Sequence, residues 1–115
     1  MNIDFFKIVI FIIFCLIPNT SFSGDLVLGK EKAATVCSAC HGMDGQAASG
    51  GNSALIPNIT AQQKDYLIVK LKDYKSVKIN HPQMTMIAQM LSDEDIENVS
   101  EWYSNIKITI KLPLE

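Results

Sequence analysis

Cys37-Ser38-Ala39-Cys40-His41 spells Cys-x-x-Cys-His, the five-residue signature of covalent c-type haem attachment. Two thiols at this spacing project from one face of a helix, where they can add across the two vinyl groups of a haem. His41 follows at once and would place an imidazole nitrogen under the iron. Three other readings of the same residues are weaker. A mutual disulfide suits an oxidising compartment but gives no role to the histidine. A thioredoxin-like redox pair comes with βαβ patterning, whereas residues 28–36 read as helix and no alternating strand precedes them. A zinc site lacks a second cysteine pair, and His81 is the only other histidine.

The segment before the motif reads as an export signal. Lys7 gives a weakly positive start, offset by Asp4. Residues 8–17 form an unbroken apolar run, and Ser21-Phe22-Ser23 places small residues at the two key positions before Gly24. The run falls short of the roughly 20 residues a transmembrane helix needs. Residues 1–23 are therefore expected to be a signal peptide and residues 24–115 the working domain, in the periplasm. An uncleaved signal segment would be its one route to a membrane. Cys15 follows bulky residues rather than a lipoprotein pattern and reads as part of the apolar run. A chain of this size buries only about 60–65% of its unfolded surface, so a covalently held apolar group is expected to complete its core. The net charge of −2 argues against nucleic acid as a partner.

The pattern of the mature segment is helical. Residues 25–40 read as a first helix, with Val27, Ala34 and Cys37 on one stripe and Lys30 and Lys32 on the wet side. Gly29 within it reads either as a close helix crossing or as ordinary tolerance. Residues 42–58 are rich in Gly, Asn, Ser and Pro and read as a loop able to wrap a cofactor. Residues 60–76 read as a second helix with Thr60 as its cap and Tyr66, Leu67, Leu71 and Tyr74 on its apolar face. Lys70, Lys72, Lys75 and Lys78 form a basic run, relieved only by Asp73. Residues 77–85 read as irregular around Asn80-His81-Pro82. Ser92-Asp93-Glu94-Asp95 opens the clearest helix, residues 92–104, with a capping serine, Asp95 as its partner and acids in the first turn. Its inner stripe is Ile96, Val99 and Tyr103, with Trp102 beside it. Residues 106–112 alternate like a strand and read as an extended segment packed on the body.

A second iron ligand would decide between closed and open haem chemistry. Met84, Met86, Met90 and His81 are the candidates. Methionine is also a routine core filler, and composition does not choose among the three.

These residues resemble a small bacterial monohaem class I cytochrome c. The resemblance spans nearly all of residues 24–115 and is weakest after Asn105. It is carried by Gly29, by Cys37 to Gly42 with Asp44-Gly45, and by Ile56-Pro57-Asn58-Ile59-Thr60-Ala61-Gln62. Asp65-Tyr66-Leu67, Leu71-Lys72-Asp73-Tyr74-Lys75-Ser76 and Met84-Thr85-Met86-Ile87-Ala88 extend it into Leu91-Ser92-Asp93-Glu94-Asp95-Ile96 and Trp102-Tyr103. It implies an all-α cytochrome c fold of three to four helices wrapped around one covalently attached haem. It implies Met84 as the axial methionine, by its spacing to Ser92, with Met86 as runner-up. It implies that the Pro57 carbonyl accepts a hydrogen bond from His41, and that Gly29 and Trp102-Tyr103 mark the crossing of first and last helices. Ala61 departs from the pattern, since the branch usually has Gly there.

The resemblance implies a one-electron carrier rather than an enzyme, meeting donor and acceptor proteins transiently. It is also similar to the cytochrome subunit of flavocytochrome c sulfide dehydrogenase, which would dock on a flavoprotein. An open-site haem sensor or peroxidase is the rival class and requires that no methionine stays on iron. The basic run 70–78 could steer an acidic partner, or simply be a solvated helix face.

Overall fold

The computed structural model describes residues 23–47 and 55–113. The expected signal segment and the middle of the glycine-rich loop lie outside the described residues. Among the described residues the regular elements are all helical, as the all-α expectation has it.

Asp25 starts the first helix, α1 (Leu26–Lys32), by accepting hydrogen bonds from the Val27 and Leu28 N–H groups at 2.8 and 2.9 Å. The chain continues without a break through a wider π-helical turn (Ala33–Cys37) and a last tight turn, α2 (Ser38–His41). Gly42 ends the run with φ at +73°, a conformation open to glycine. The span agrees with the expected first helix, but its inner face does not. Val27 is 75% exposed and Ala34 is exposed, while Gly29 and Ala33 are buried and Cys37 packs on the core cluster. The reason is the crossing with the last helix. A Cβ on Gly29 would fall on the backbone carbonyl of Asn98 and reach within 3.2 Å of the Trp102 Cβ. That approach turns the Gly29 face inward, and the expected close crossing is present.

Helix α3 (Lys64–Lys75) begins four residues later than the sequence pattern indicates. Thr60 does not cap it. The Thr60 hydroxyl instead donates to the Asp44 carbonyl at 2.7 Å, and Ala61 has φ +54°, which a right-handed helix cannot include. Helix α4 (Pro82–Met90) occupies a region expected to be partly irregular. Pro82 stands at its first position, where the missing N–H costs no hydrogen bond and the fixed φ is already helical. Helix α5 (Asp93–Ser104) has the capping box read from the sequence. The Asp95 N–H donates to Ser92 Oγ at 2.9 Å, and the Ser92 N–H to the Asp95 carboxylate at 3.0 Å. Ile96, Val99 and Tyr103 are buried as expected. So are Asn98 and Ser100, which the apolar pattern could not show. Asn98 uses its side-chain oxygen to accept from the Asp25 N–H at 2.7 Å.

The core cluster joins Ala33, Leu67 and Tyr103, with Cys37, Met43, Ile59, Trp102 and Ile106 against it. The tail packs only at its first residue. Ile108, Ile110 and Leu112 are 53%, 74% and 59% exposed, because a lone alternating segment has no neighbouring strand to hold it down.

The basic run is not a free charged face. Lys75 pairs with Asp93 at 2.8 Å, Lys78 with Asp73 at 3.0 Å and Lys72 lies 3.8 Å from Glu97, while Lys70 sits over the Tyr66 ring; Lys64, just before the run, pairs with Glu101 at 2.8 Å. Most of these pairs tie α3 to α5. Exposed pairs of this kind are screened by solvent and add little to stability individually. Their larger effect is to cancel the positive field that the sequence displays.

Replacing Gly29 with Ala should drive the first and last helices apart and destabilise the protein by about 2–3 kcal/mol. Thermal denaturation of the holoprotein checks this, and an unchanged midpoint would show that the crossing tolerates a side chain.

Candidate haem site

His41 is the last residue of α2, and its Nδ1 lies 3.1 Å from the Pro57 carbonyl oxygen. A carbonyl only accepts hydrogen bonds, so Nδ1 must carry the hydrogen. That choice of tautomer leaves the Nε2 lone pair as the nitrogen available to a metal. Burial lowers the pKa of His41, with a smaller opposing effect from the Pro57 carbonyl. The neutral, ligating form is therefore the favoured one.

Pro57 is brought to His41 by two loop segments bonded to each other. The Ile59 N–H donates to the Gly45 carbonyl at 2.9 Å. The Thr60 hydroxyl reaches the Asp44 carbonyl, and the Ala47 N–H donates to Asn58 Oδ1 at 3.0 Å. Helix α5 anchors both segments. The Tyr103 hydroxyl donates to the Gly42 carbonyl at 2.9 Å, and Trp102 Nε1–H donates to the Met43 carbonyl at 3.0 Å. The Ala61 N–H donates to the Tyr103 carbonyl at 3.0 Å. Burial raises the pKa of Tyr103, so its hydroxyl stays protonated and donating. The roles of Asn58 and Thr60 in this frame were missed from sequence. Their one signal was position, directly after Pro57 among turn-forming residues.

Cys37 is half-buried and Cys40 exposed, and no disulfide joins them among the described residues. Before any haem is attached, burial pushes the Cys37 thiol up to about 11, against an opposing pull from Lys32. Among the described residues no three His, Cys, Asp or Glu side chains converge as a metal-ion site. Met84 is half-buried on α4, while Met86 and Met90 are 58% and 69% exposed. His81 uses Nδ1 to accept from the Met84 N–H at 3.2 Å. A hydrogen bond joins His41 to Pro57; Met84 lies on α4, which packs against α3.

The residues present fit a haem. Few side chains larger than alanine are fully buried, while Tyr66, Val69, Met86 and Met90 stay half-exposed or more. Such a chain is short of apolar core for its length. The donor set adds two thiols and an imidazole with Nε2 free for iron. A cleft of about 370 Å³ lies elsewhere, between α1 and α5. Its lining by Glu31, Lys32, Thr35, Glu94 and Asp95 suits no apolar macrocycle.

A helical chain that ends its first helical run in Cys-x-x-Cys-His, with that histidine on a proline carbonyl, has the build of a class I cytochrome c. The family model for cytochrome c matches residues 26–107, and the chain belongs to that family. Cytochrome c-554(548) of Halomonas halodenitrificans is 41% identical over 86 residues, covering 72% of this chain and 98% of the relative. Cytochrome c4 of Pseudomonas aeruginosa is 32% identical over 88 residues, covering 76% of this chain. The matched part is 41% of that relative, so the chain corresponds to less than half of a cytochrome c4. The crystal structure of reduced recombinant cytochrome c4 from Pseudomonas stutzeri aligns with a TM-score of 0.63 at 30% identity, over 74% of this chain and 47% of that one. The chain is thus a haem c protein of the electron-transfer kind, and not itself an enzyme.

Ala61 now has a physical meaning. Its φ of +54° is the left-handed conformation that favours Gly. An L-residue there costs about 1–2 kcal/mol; Gly would avoid that strain but give back about 0.5–1 kcal/mol through the greater chain entropy of its unfolded state. Ala61→Gly should therefore stabilise the protein by about 0.5–1 kcal/mol. Urea denaturation measures it, and a lower midpoint would contradict the strain.

Proposed function

We propose that this chain is a periplasmic one-electron carrier, with haem c attached at Cys37 and Cys40 and its iron held between His41 and Met84. The observation that carries the proposal is the His41–Pro57 hydrogen bond. It fixes the tautomer and the ring plane that a proximal ligand needs. When bound, the haem supplies a one-electron Fe(III)/Fe(II) couple. The chain's own part is to hold both ligands in the same place in both redox states, so that little rearranges when an electron moves. Pro57 restrains His41 on one side. On the other, Met84 is supported by its half-burial on α4 and by its distance in sequence from the Ser92 cap. Met86 and Met90 point to a different role by their exposure. A thioether ligand favours ferrous iron and raises the potential.

In this reading residues 1–23 are a cleaved export signal and residues 24–115 the mature protein. The redox partners are proteins that meet the carrier transiently. A free single-domain carrier is supported by cytochrome c-554(548), nearly all of whose length the chain matches. The paired lysines of α3 leave little basic field for steering, so association should depend weakly on salt.

Two experiments test the proposal. Met84→Ala should abolish the near-infrared-edge absorption of the oxidised holoprotein and admit carbon monoxide rapidly to the reduced form. Survival of that absorption would move the ligand to Met86 or Met90. The chain produced without haem should lack cooperative thermal unfolding, because the described core is small; a sharp native-like transition would count against a haem-dependent core.

A further inference from the structure

We propose that His81 is a positioning residue for the methionine side of the iron site, acting with Thr85 as a reciprocal clamp on the start of α4. The inference rests on the reading of Met84 as the iron ligand. Three hydrogen bonds carry it. The Met84 N–H donates to His81 Nδ1 at 3.2 Å, and the His81 N–H donates to Thr85 Oγ1 at 2.9 Å. The Thr85 hydroxyl in turn donates to the Ile79 carbonyl at 3.2 Å. The Tyr74 ring, at the end of α3, meets the imidazole edge-on with centroids 6.0 Å apart.

The first N–H groups of a helix have no partner within it. Ser, Thr, Asp and Asn are the usual side chains that accept from them. Here a histidine does so, with Pro82 setting the first turn. The clamp has the logic of a capping box: side chain to backbone in one direction, backbone to side chain in the other. It differs in using a rigid ring, half-buried against Tyr74, so that the same residue fastens α4 to α3. Met84 sits at the third position of the turn so held. Its sulfur is a soft, neutral ligand, and an external base competes for ferric iron in its place. A preorganised turn favours the internal ligand by lowering the ordering cost of placing it. Nδ1 bound to the Met84 N–H also gives His81 a purpose other than iron ligation.

The test uses the oxidised holoprotein with imidazole as the competing ligand, followed by its visible spectrum, alongside urea denaturation of each variant. His81→Ala and Thr85→Val should each tighten imidazole binding by about tenfold, the equilibrium equivalent of one lost cap. Both should weaken the near-infrared-edge absorption. His81→Asn keeps a good capping oxygen and should stay within about twofold of the parent. If imidazole affinity is unchanged in both loss variants while the urea midpoint falls, the clamp is merely structural and the proposal is overturned. If His81→Asn behaves like His81→Ala, capping is not the cause and the proposal fails again. Met84→Ala separates this from the underlying reading. Loss of its absorption upholds Met84 as ligand whatever the clamp variants do, and persistence removes the basis of both.

Discussion

The rest of the structure depends on the contact between Gly29 and the backbone of Asn98. With no side chain at position 29, α1 and α5 approach closely enough for Asn98 to reach the Asp25 N–H and for Trp102 to lie against the helix. That crossing fixes where the last turn of α5 falls. Tyr103 and Trp102 then hold the Gly42 and Met43 carbonyls just past the motif, while the Tyr103 carbonyl takes the Ala61 N–H. Pro57 lies between these anchors, and its carbonyl meets His41. A contact at the far end of the domain thus sets the plane of one imidazole.

How much of this was legible varied with the kind of force involved. The haem motif is legible because its chemistry is covalent and local. Helix α5 is legible because its signals are all in one short stretch: a serine, three acids and an apolar stripe. Helix α3 was misplaced at its start because Thr60 has two possible partners. A tertiary acceptor, the Asp44 carbonyl, won over the local cap. Helix α4 was missed altogether because Asn80-His81-Pro82 reads as a turn, whereas proline at a first position begins a helix as readily as it ends one. The inner face of α1 was misread because glycine and alanine carry no hydrophobic signal, yet they are what a close crossing buries. The exposed isoleucines of the tail show the converse: alternation records a preference for pairing, and pairing requires a neighbour.

Charge tells a related story. Along the sequence, the lysines of α3 look like a field meant for a partner. In the fold Lys64, Lys72 and Lys75 face the acids of α5, and Lys64 and Glu101 each strengthen the charged form of the other. A linear run of like charge says little about a surface until the opposing helix is known.

The π-helical turn at Ala33–Cys37 runs from the crossing to the first of the two haem-motif cysteines. It acts as a phase adjuster between two parts of one continuous rod. One end is locked against α5 by Gly29, and the other must present Cys37, Cys40 and His41 in a set direction. In a regular α-helix each residue advances the face by about 100°, so losing the extra residue of this turn would rotate the whole motif about the axis while leaving the rod intact. Insertions and deletions here are therefore held to a stricter count than their helical surroundings indicate. At Thr35 the chain can vary what the turn contains more freely than how many residues it has.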